Sequence, residues 1–312
     1  MSARPPERSR AGAERPPVTP PELAAMKRRG ERIVMVTAYD YPSALAAEEA
    51  GVDAVLVGDS AAMVVLGYDA TTPVGMDEMV TMAAAVRRGL RTPLLIGDMP
   101  FGSYERSNEH AIDNAQRYVR EAGCAAVKLE RGGASVERAR AIVRSGIPVM
   151  GHVGLTPQTA SALGGYKAQG RTAQSAAQIA EEALALQAAG CFAIVFEAVP
   201  AAVTEALMPK LEIPVIGIGA GPATDGQVLV FHDLLGISRG RTPKFVKRYA
   251  SLGDEMAAGV RRYAAEVRRG EFPGPEHAYS VEPAELAEFR RWLDQDSLAG
   301  AGGFTGFWDM EI

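Results

Sequence analysis

The chain has 312 residues and a mass of 33.0 kDa, and its 33 Lys and Arg against 38 Asp and Glu leave a net charge of −5. A pI near 5.6 provides no basic field for a phosphate backbone, which excludes a general nucleic-acid binder. Apolar residues at 47% exclude wholesale disorder, and no apolar run approaches the roughly 20 residues that would span a bilayer. Two cysteines are too few for a disulfide framework. Cys124 and Cys191 each follow a glycine and enter an apolar run, so they read as small buried hydrophobes of a cytoplasmic chain.

Residues 1–19 carry Arg and Pro but no apolar signal core, and they read as a disordered tail. Thr19, Pro20 and Glu22 form a capping-box pattern that predicts a short helix ending near Gly30. After it one unit recurs: a stretch of helical period, a Gly or Pro, then a short apolar run ending in a polar or charged residue. The runs are IVMVTAYD (33–40), AGVDAVLVGD (50–59), TPLLIGD (92–98), AGCAAVKLE (122–130), IPVMGH (147–152), AGCFAIVFE (189–197), IPVIGIGAG (213–221) and VLVFHDLLGI (228–237). They are continuously apolar, as strands of a parallel sheet buried on both faces are. Between them, Met79, Met82, Ala83 and Val86 share one helix face, as do Ile112, Ala115, Val119 and Ala122, and Ile179, Ala183 and Leu186.

Eight β-then-α units predict an α/β fold, a (β/α)8 TIM barrel over residues 20–279. A Rossmann-like sheet competes less well, since GIGAG (217–221) sits at the seventh run and lacks the full dinucleotide fingerprint. Residues 280–312 read as an extension, with an amphipathic helix over 283–294 that gathers Leu286, Phe289, Trp292 and Leu293, then a Gly-rich aromatic end that docks on the barrel or on a neighbouring subunit.

In such a barrel the active site is built from the carboxyl ends of the strands. Those ends offer Thr37, Tyr39 and Asp40, then Asp59 and Ser60, Asp98, Lys128 and Glu130, His152, and Glu197. Three acids on consecutive strands, Asp59, Asp98 and Glu130, repel one another without a cation, and their hard oxygens suit Mg²⁺. Alternatively, individual acids cap helices or pair with a basic group. Lys128 lies two residues before Glu130, so both face the barrel mouth, where the lysine can anchor a substrate carboxylate, stabilise an enolate or pair with Asp98 or Glu130. Glu197, behind the apolar AIVF, is the candidate general base. His152 is a possible further member. His110 and His277 read as surface residues, and His232 beside Asp233 is ambiguous. The segments 67–73 and 154–171, rich in turn residues, are candidate lids.

TAYDYPSA, VGDSAAMVVLGYDATTPV, GDMPFGSY, VKLERG, GHVGLTPQ, GGYKAQGR, FEAVP, IPVIGIGAG and HDLLGI, in this order over residues 22–279, resemble the ketopantoate hydroxymethyltransferase family. The resemblance implies a barrel of the phosphoenolpyruvate/pyruvate superfamily that transfers a one-carbon unit from 5,10-methylenetetrahydrofolate to 3-methyl-2-oxobutanoate, giving 2-dehydropantoate for pantothenate and coenzyme A synthesis. It implies Asp59, Asp98 and Glu130 at Mg²⁺, and Asp59, Ser60, Asp98 and Lys128 at the keto acid. It also implies Glu197 as proton acceptor and a cytoplasmic homodecamer with small-molecule partners and neither nucleic acid nor membrane. The chain departs from the family pattern at Ala61-Ala62, at Tyr68 where histidine is common, and at Gly97 where alanine often precedes the aspartate. One rival is a Mg²⁺-dependent 2-oxo-acid C–C lyase on the same barrel. Such lyases usually carry a cysteine-bearing catalytic loop, and neither Cys124 nor Cys191 lies in one. A second is a non-catalytic barrel holding a phosphorylated ligand at GIGAG.

Overall fold

A computed structural model of the chain describes residues 15–240 and 242–294. The proposed tail lies outside the described residues as far as residue 14, and so does the Gly-rich end from residue 295. Two compact units are present, divided between Gly253 and Asp254.

The first unit opens with α1 (Pro20–Arg29), whose Thr19 cap accepts from the Glu22 N–H and whose end is closed by Gly30 in the left-handed region at φ 72°. Strands follow at β1 (Ile33–Thr37), β2 (Ala54–Val57), β3 (Leu94–Asp98), β4 (Ala126–Lys128), β5 (Val149–Gly154), β6 (Ala193–Glu197), β7 (Val215–Ile218) and β8 (Gly226–Leu229). The helices among them are α2 (Tyr41–Glu49), α3 (Ala61–Val64), α4 (Met76–Gly89), α5 (Asn108–Ala122), α6 (Ala134–Arg144), α7 (Ala173–Ala188), α8 (Ala201–Leu207) and α9 (Phe231–Leu234). All strands are parallel, in sequence order, and β8 pairs with β1 to close the barrel.

Alternation along each strand sorts the core into two layers. Ile33, Met35, Leu94, Ile96, Ala126, Met150, Ala193, Val195 and Ile216 pack together inside the barrel. Their neighbours Val36, Val55, Leu95, Val127, Val149, Ile194 and Phe196 pack outward against helix residues such as Met79, Tyr118, Ile142 and Leu186. Leu23 and Met26 join the inner layer, so α1 stoppers the amino end, and Lys27 ties it to Asp225 at 2.9 Å.

The eighth run is corrected. β8 begins before Val228, at Gly226, and stops at Leu229, and Phe231–Leu234 is helical. The chain leaves the ladder where the Phe231 N–H donates to the Thr37 hydroxyl instead of a strand. Cys124 and Cys191 are buried and unpaired.

The second unit contains most of α10 (Leu252–Arg269), a 3₁₀ turn at Pro275–His277, and α11 (Pro283–Asp294) on the bounds read from sequence. Tyr263 packs edge to face on Phe272, Phe272 packs at a tilt on His277, and Phe289 stacks on Trp292. Among the described residues no helix is long and apolar enough to cross a membrane.

Candidate active site

The inward face that is apolar through the lower barrel turns polar at the carboxyl ends. Continuing each strand by two residues leads from Ile96 to Asp98, from Ala126 to Lys128 and Glu130, from Met150 to His152, and from Val195 to Glu197. Register then decides who meets whom. Asp98 lies opposite Lys128 across the β3–β4 ladder, and the Lys128 ammonium donates to Asp98 Oδ1 at 2.7 Å. Its distance to Glu130 Oε1 is 3.6 Å. The Arg131 N–H donates to the His152 carbonyl, which sets Glu130 beside His152, with Nδ1 at 3.2 Å from Glu130 Oε1. On its other side His152 Nε2 lies 3.3 Å from Glu197 Oε2. Both histidine contacts are too bent to be linear hydrogen bonds.

Asp59, Asp98, Lys128, Glu130 and His152 are all at most 4% exposed, whereas the Glu197 side chain retains 15%. Three buried carboxylates therefore face one ammonium. Burial, with Asp98 and Glu130, pushes the Asp59 carboxyl well above its usual range, against the pull of Lys128 and Gln158. Burial raises Asp98 also, although Lys128 opposes it. Burial works against the charge on Glu130 too, but Lys128 and His152 outweigh it and hold that carboxyl below its usual range. Burial and Lys128 lower His152, yet Glu130 and Glu197 prevail and bring it up to about 9. For Lys128, burial is outweighed by Asp98, Glu130 and Asp59, and its pKa rises. Three acids against Lys128 and His152, which is cationic below about pH 9, leave a small excess of negative charge, and their hard oxygens are a donor set that suits Mg²⁺ in chemistry. Among the described residues no three His, Cys, Asp or Glu side chains converge as ligands on one point, and Lys128 lies between Asp98 and Glu130.

The remaining strand-end residues divide. The Ser60 hydroxyl lies 2.8 Å from that of Tyr39, beside Asp59 in the chain. Asp40 does not join the site, for its carboxylate caps α2 by accepting from the Ser43 N–H. Thr37 accepts from Phe231, and half-buried His232 stacks against Tyr39 with ring centroids 5.4 Å apart. His110 is corrected from surface to half-buried, its Nε2 3.2 Å from the Asn114 amide, while His277 is exposed.

Sequence reading misses two neutral members, Tyr104 and Gln158. The Gln158 amide donates to Asp59 Oδ2 at 3.0 Å and to the Met99 carbonyl at 2.9 Å. Its own N–H donates to Glu130 Oε2 at 3.1 Å, and its Oε1 accepts from the Tyr104 hydroxyl at 2.5 Å. In this structure the start of the 154–171 segment forms part of the wall of the site. Beyond Tyr104 lies a cavity of about 390 Å³ lined by residues such as Phe101, Glu105, Arg131 and Glu182. None of Asp59, Asp98, Lys128 or Glu197 lines it.

Barrel and mouth together define a closed (β/α)8 barrel whose charged residues gather at the carboxyl ends of its strands. Crystal structures of phosphonopyruvate hydrolase (TM-score 0.55, 15% identity, 90% of this chain and 98% of that one) and of 2,3-dimethylmalate lyase (TM-score 0.53, 20% identity, 91% and 100%) share the fold. At such identity the likeness carries the fold alone. Residues 17–275 match the family Ketopantoate hydroxymethyltransferase, and the chain belongs to that family. The 3-methyl-2-oxobutanoate hydroxymethyltransferase of Moorella thermoacetica is 54% identical over 267 residues, covering 86% of this chain and 99% of its own length. The Arabidopsis thaliana mitochondrial enzyme is 50% identical over 298 residues, covering 92% of this chain and 86% of its own length. These relatives favour the transferase reading over the lyase.

Proposed function

We propose that this chain transfers a hydroxymethyl group from 5,10-methylenetetrahydrofolate to 3-methyl-2-oxobutanoate, giving 2-dehydropantoate for pantothenate and coenzyme A synthesis. The observation that carries this reading is the continuous line Lys128–Glu130–His152–Glu197 at the barrel mouth, with contacts of 3.6, 3.2 and 3.3 Å. It pairs a fixed positive group with a carboxylate that substrate can reach, which is what enolisation of a 2-oxo acid needs.

Glu197, the least buried charged member, takes the proton from C3 of the keto acid. The electron pair of that C–H bond moves into the enolate, whose charge Lys128 opposes. C3 then forms a bond to the one-carbon unit carried by the folate, and water supplies the hydroxyl as tetrahydrofolate leaves. His152 sits between Glu197 and Glu130 and holds the base in place. Asp59, Ser60, Asp98 and Lys128 contact the keto acid. Asp59, Asp98 and Glu130 would hold Mg²⁺, which when bound supplies Lewis-acid stabilisation to a developing enolate.

In deuterated water, C3 of 3-methyl-2-oxobutanoate should exchange with the wild-type protein even without folate. Glu197→Gln should keep keto-acid binding yet lose exchange by about 10²- to 10⁴-fold. Undiminished exchange in that variant removes Glu197 from the role. Exchange without any folate-dependent product would remove the transferase assignment.

A cytoplasmic homo-oligomer, with ten copies as the expected number, completes the reading. Two unpaired buried cysteines support the compartment. Met256, Val260, Tyr263 and Val267, exposed at helical spacing on α10, support contact between copies.

A further inference from the structure

The acid cluster is held by a neutral bracket. The Tyr104 hydroxyl accepts from the Glu130 N–H at 3.3 Å, so its single hydrogen is free to go to Gln158 Oε1. That bond fixes which way the amide faces. With the oxygen committed to Tyr104, both N–H groups point to acceptors, Asp59 Oδ2 and the Met99 carbonyl. The Gln158 backbone N–H meanwhile takes Glu130 Oε2. Tyr104 is 2% and Gln158 5% exposed, so water does not compete for these bonds. One residue thereby fixes one oxygen of Asp59 and one of Glu130, while the other oxygen of Glu130 faces Lys128 at 3.6 Å and His152 at 3.2 Å.

We infer that Gln158, oriented by Tyr104, is a positioning residue that sets Asp59 and Glu130 for a divalent cation. The inference rests on the metal role proposed above. An outer partner of this kind commonly sets metal affinity by 10- to 100-fold, because it removes the freedom of a ligand to turn away. A glutamine serves better than a cationic side chain here, since it adds donors without competing with the cation for the acids' charge.

Mn²⁺ serves as a spectroscopic probe, with its free fraction read by electron paramagnetic resonance in wild type, Gln158→Leu and Tyr104→Phe. Gln158→Leu keeps an uncharged branched side chain but removes every side-chain hydrogen bond, and it should bind about 10- to 100-fold more weakly. Tyr104→Phe removes one hydroxyl and frees the amide to flip, and it should bind about fivefold more weakly. The rise in Tm that Mg²⁺ gives wild type should shrink in both variants. A merely structural role would lower Tm equally with and without Mg²⁺ and leave Mn²⁺ affinity alone, which overturns the inference. Should Gln158→Leu not fold, unchanged Mn²⁺ affinity in Tyr104→Phe overturns it equally. A wild-type protein that binds no Mn²⁺ overturns the metal role and the bracket together, whereas binding that both variants retain overturns only the bracket.

Discussion

At the amino end of the barrel the inward face is filled by Ile33, Met35 and Leu94 under the α1 residues Leu23 and Met26, and its ion pair, Lys27–Asp225, sits beside this packing with 16% exposure on each side chain. At the carboxyl end the same face, on the same strands, carries the Lys128–Asp98 pair at 4% and 2% exposure, with two further carboxylates next to it. The strands do not distinguish the ends, because the alternation that points Ile96 inward points Asp98 inward too. What differs is solvation. A partly wet pair is tolerated cheaply, whereas a buried excess of negative charge persists only if ligand or substrate gives a reason for it. The amino end is built for stability, and the carboxyl end is built against it.

The sharpest way to break this contrast is Lys128→Met. It leaves Asp59, Asp98 and Glu130 buried with no ammonium among them, and removal of one partner from a buried pair costs about 3–5 kcal/mol. Urea unfolding near pH 8 without divalent metal should show that loss. The cost should shrink toward pH 5, because burial and mutual repulsion already favour the protonated forms of Asp59 and Asp98. A variant as stable as wild type at pH 8 would mean that the cluster is not charged as drawn.

Much of this was legible in the residues. Apolar runs gave the strands, and the polar residue at the end of each run gave the site, because period-two alternation and the barrel's carboxyl-end rule leave those side chains nowhere else to go. Asp40 looked the same by that rule but is claimed locally, by Ser43 three residues on. VLVFHDLLGI misled because a short apolar run fits a buried strand and a buried helix turn equally. Gln158 was invisible for a different reason. It is a neutral amide in a 3₁₀ turn (Pro157–Thr159) after β5, 99 residues from Asp59 and 28 from Glu130, and only the closed barrel brings the three together.

Titration sharpens the same contrast. A histidine whose folded pKa lies above its ordinary 6.5 adds stability that is complete below that value and lost as the pH rises through about 9. For His152 the whole effect is on the order of 3 kcal/mol. Asp59, also raised, acts in the same sense, while Glu130, lowered, adds stability that is lost as the pH falls below its usual range. Metal-free protein should therefore weaken on going from pH 6.5 to 9.5 in urea titrations. His152→Gln should flatten the slope, and an unchanged slope would place the linkage elsewhere.

Gly97 tests the outer wall behind the acids. A Cβ there would overlap the ring of fully buried Tyr118, whose hydroxyl donates to the Asp98 carbonyl. Gly97→Ala should cost about 1–3 kcal/mol by overpacking. A double-mutant cycle with Tyr118→Ala checks it, for the cost of Gly97→Ala should vanish when the ring is gone.

The smallest effect belongs to the amino end. Lys27→Met removes the ammonium from a pair whose members both keep contact with water, and Asp225 retains a second role by accepting from the Val215 N–H at 2.8 Å. The carboxylate is therefore not stranded, and the loss should be at most about 1 kcal/mol. Salt should weaken the native pair, so that wild type and variant converge in Tm as ionic strength rises. Keto-acid exchange should not change, since α1 places Leu23 and Met26 in the inner apolar layer and its ion pair with Asp225 involves none of the acids at the mouth. A loss as large as that of Lys128→Met would show that burial is not what separates the two ends, and the charge imbalance at the mouth would no longer explain why function sits there.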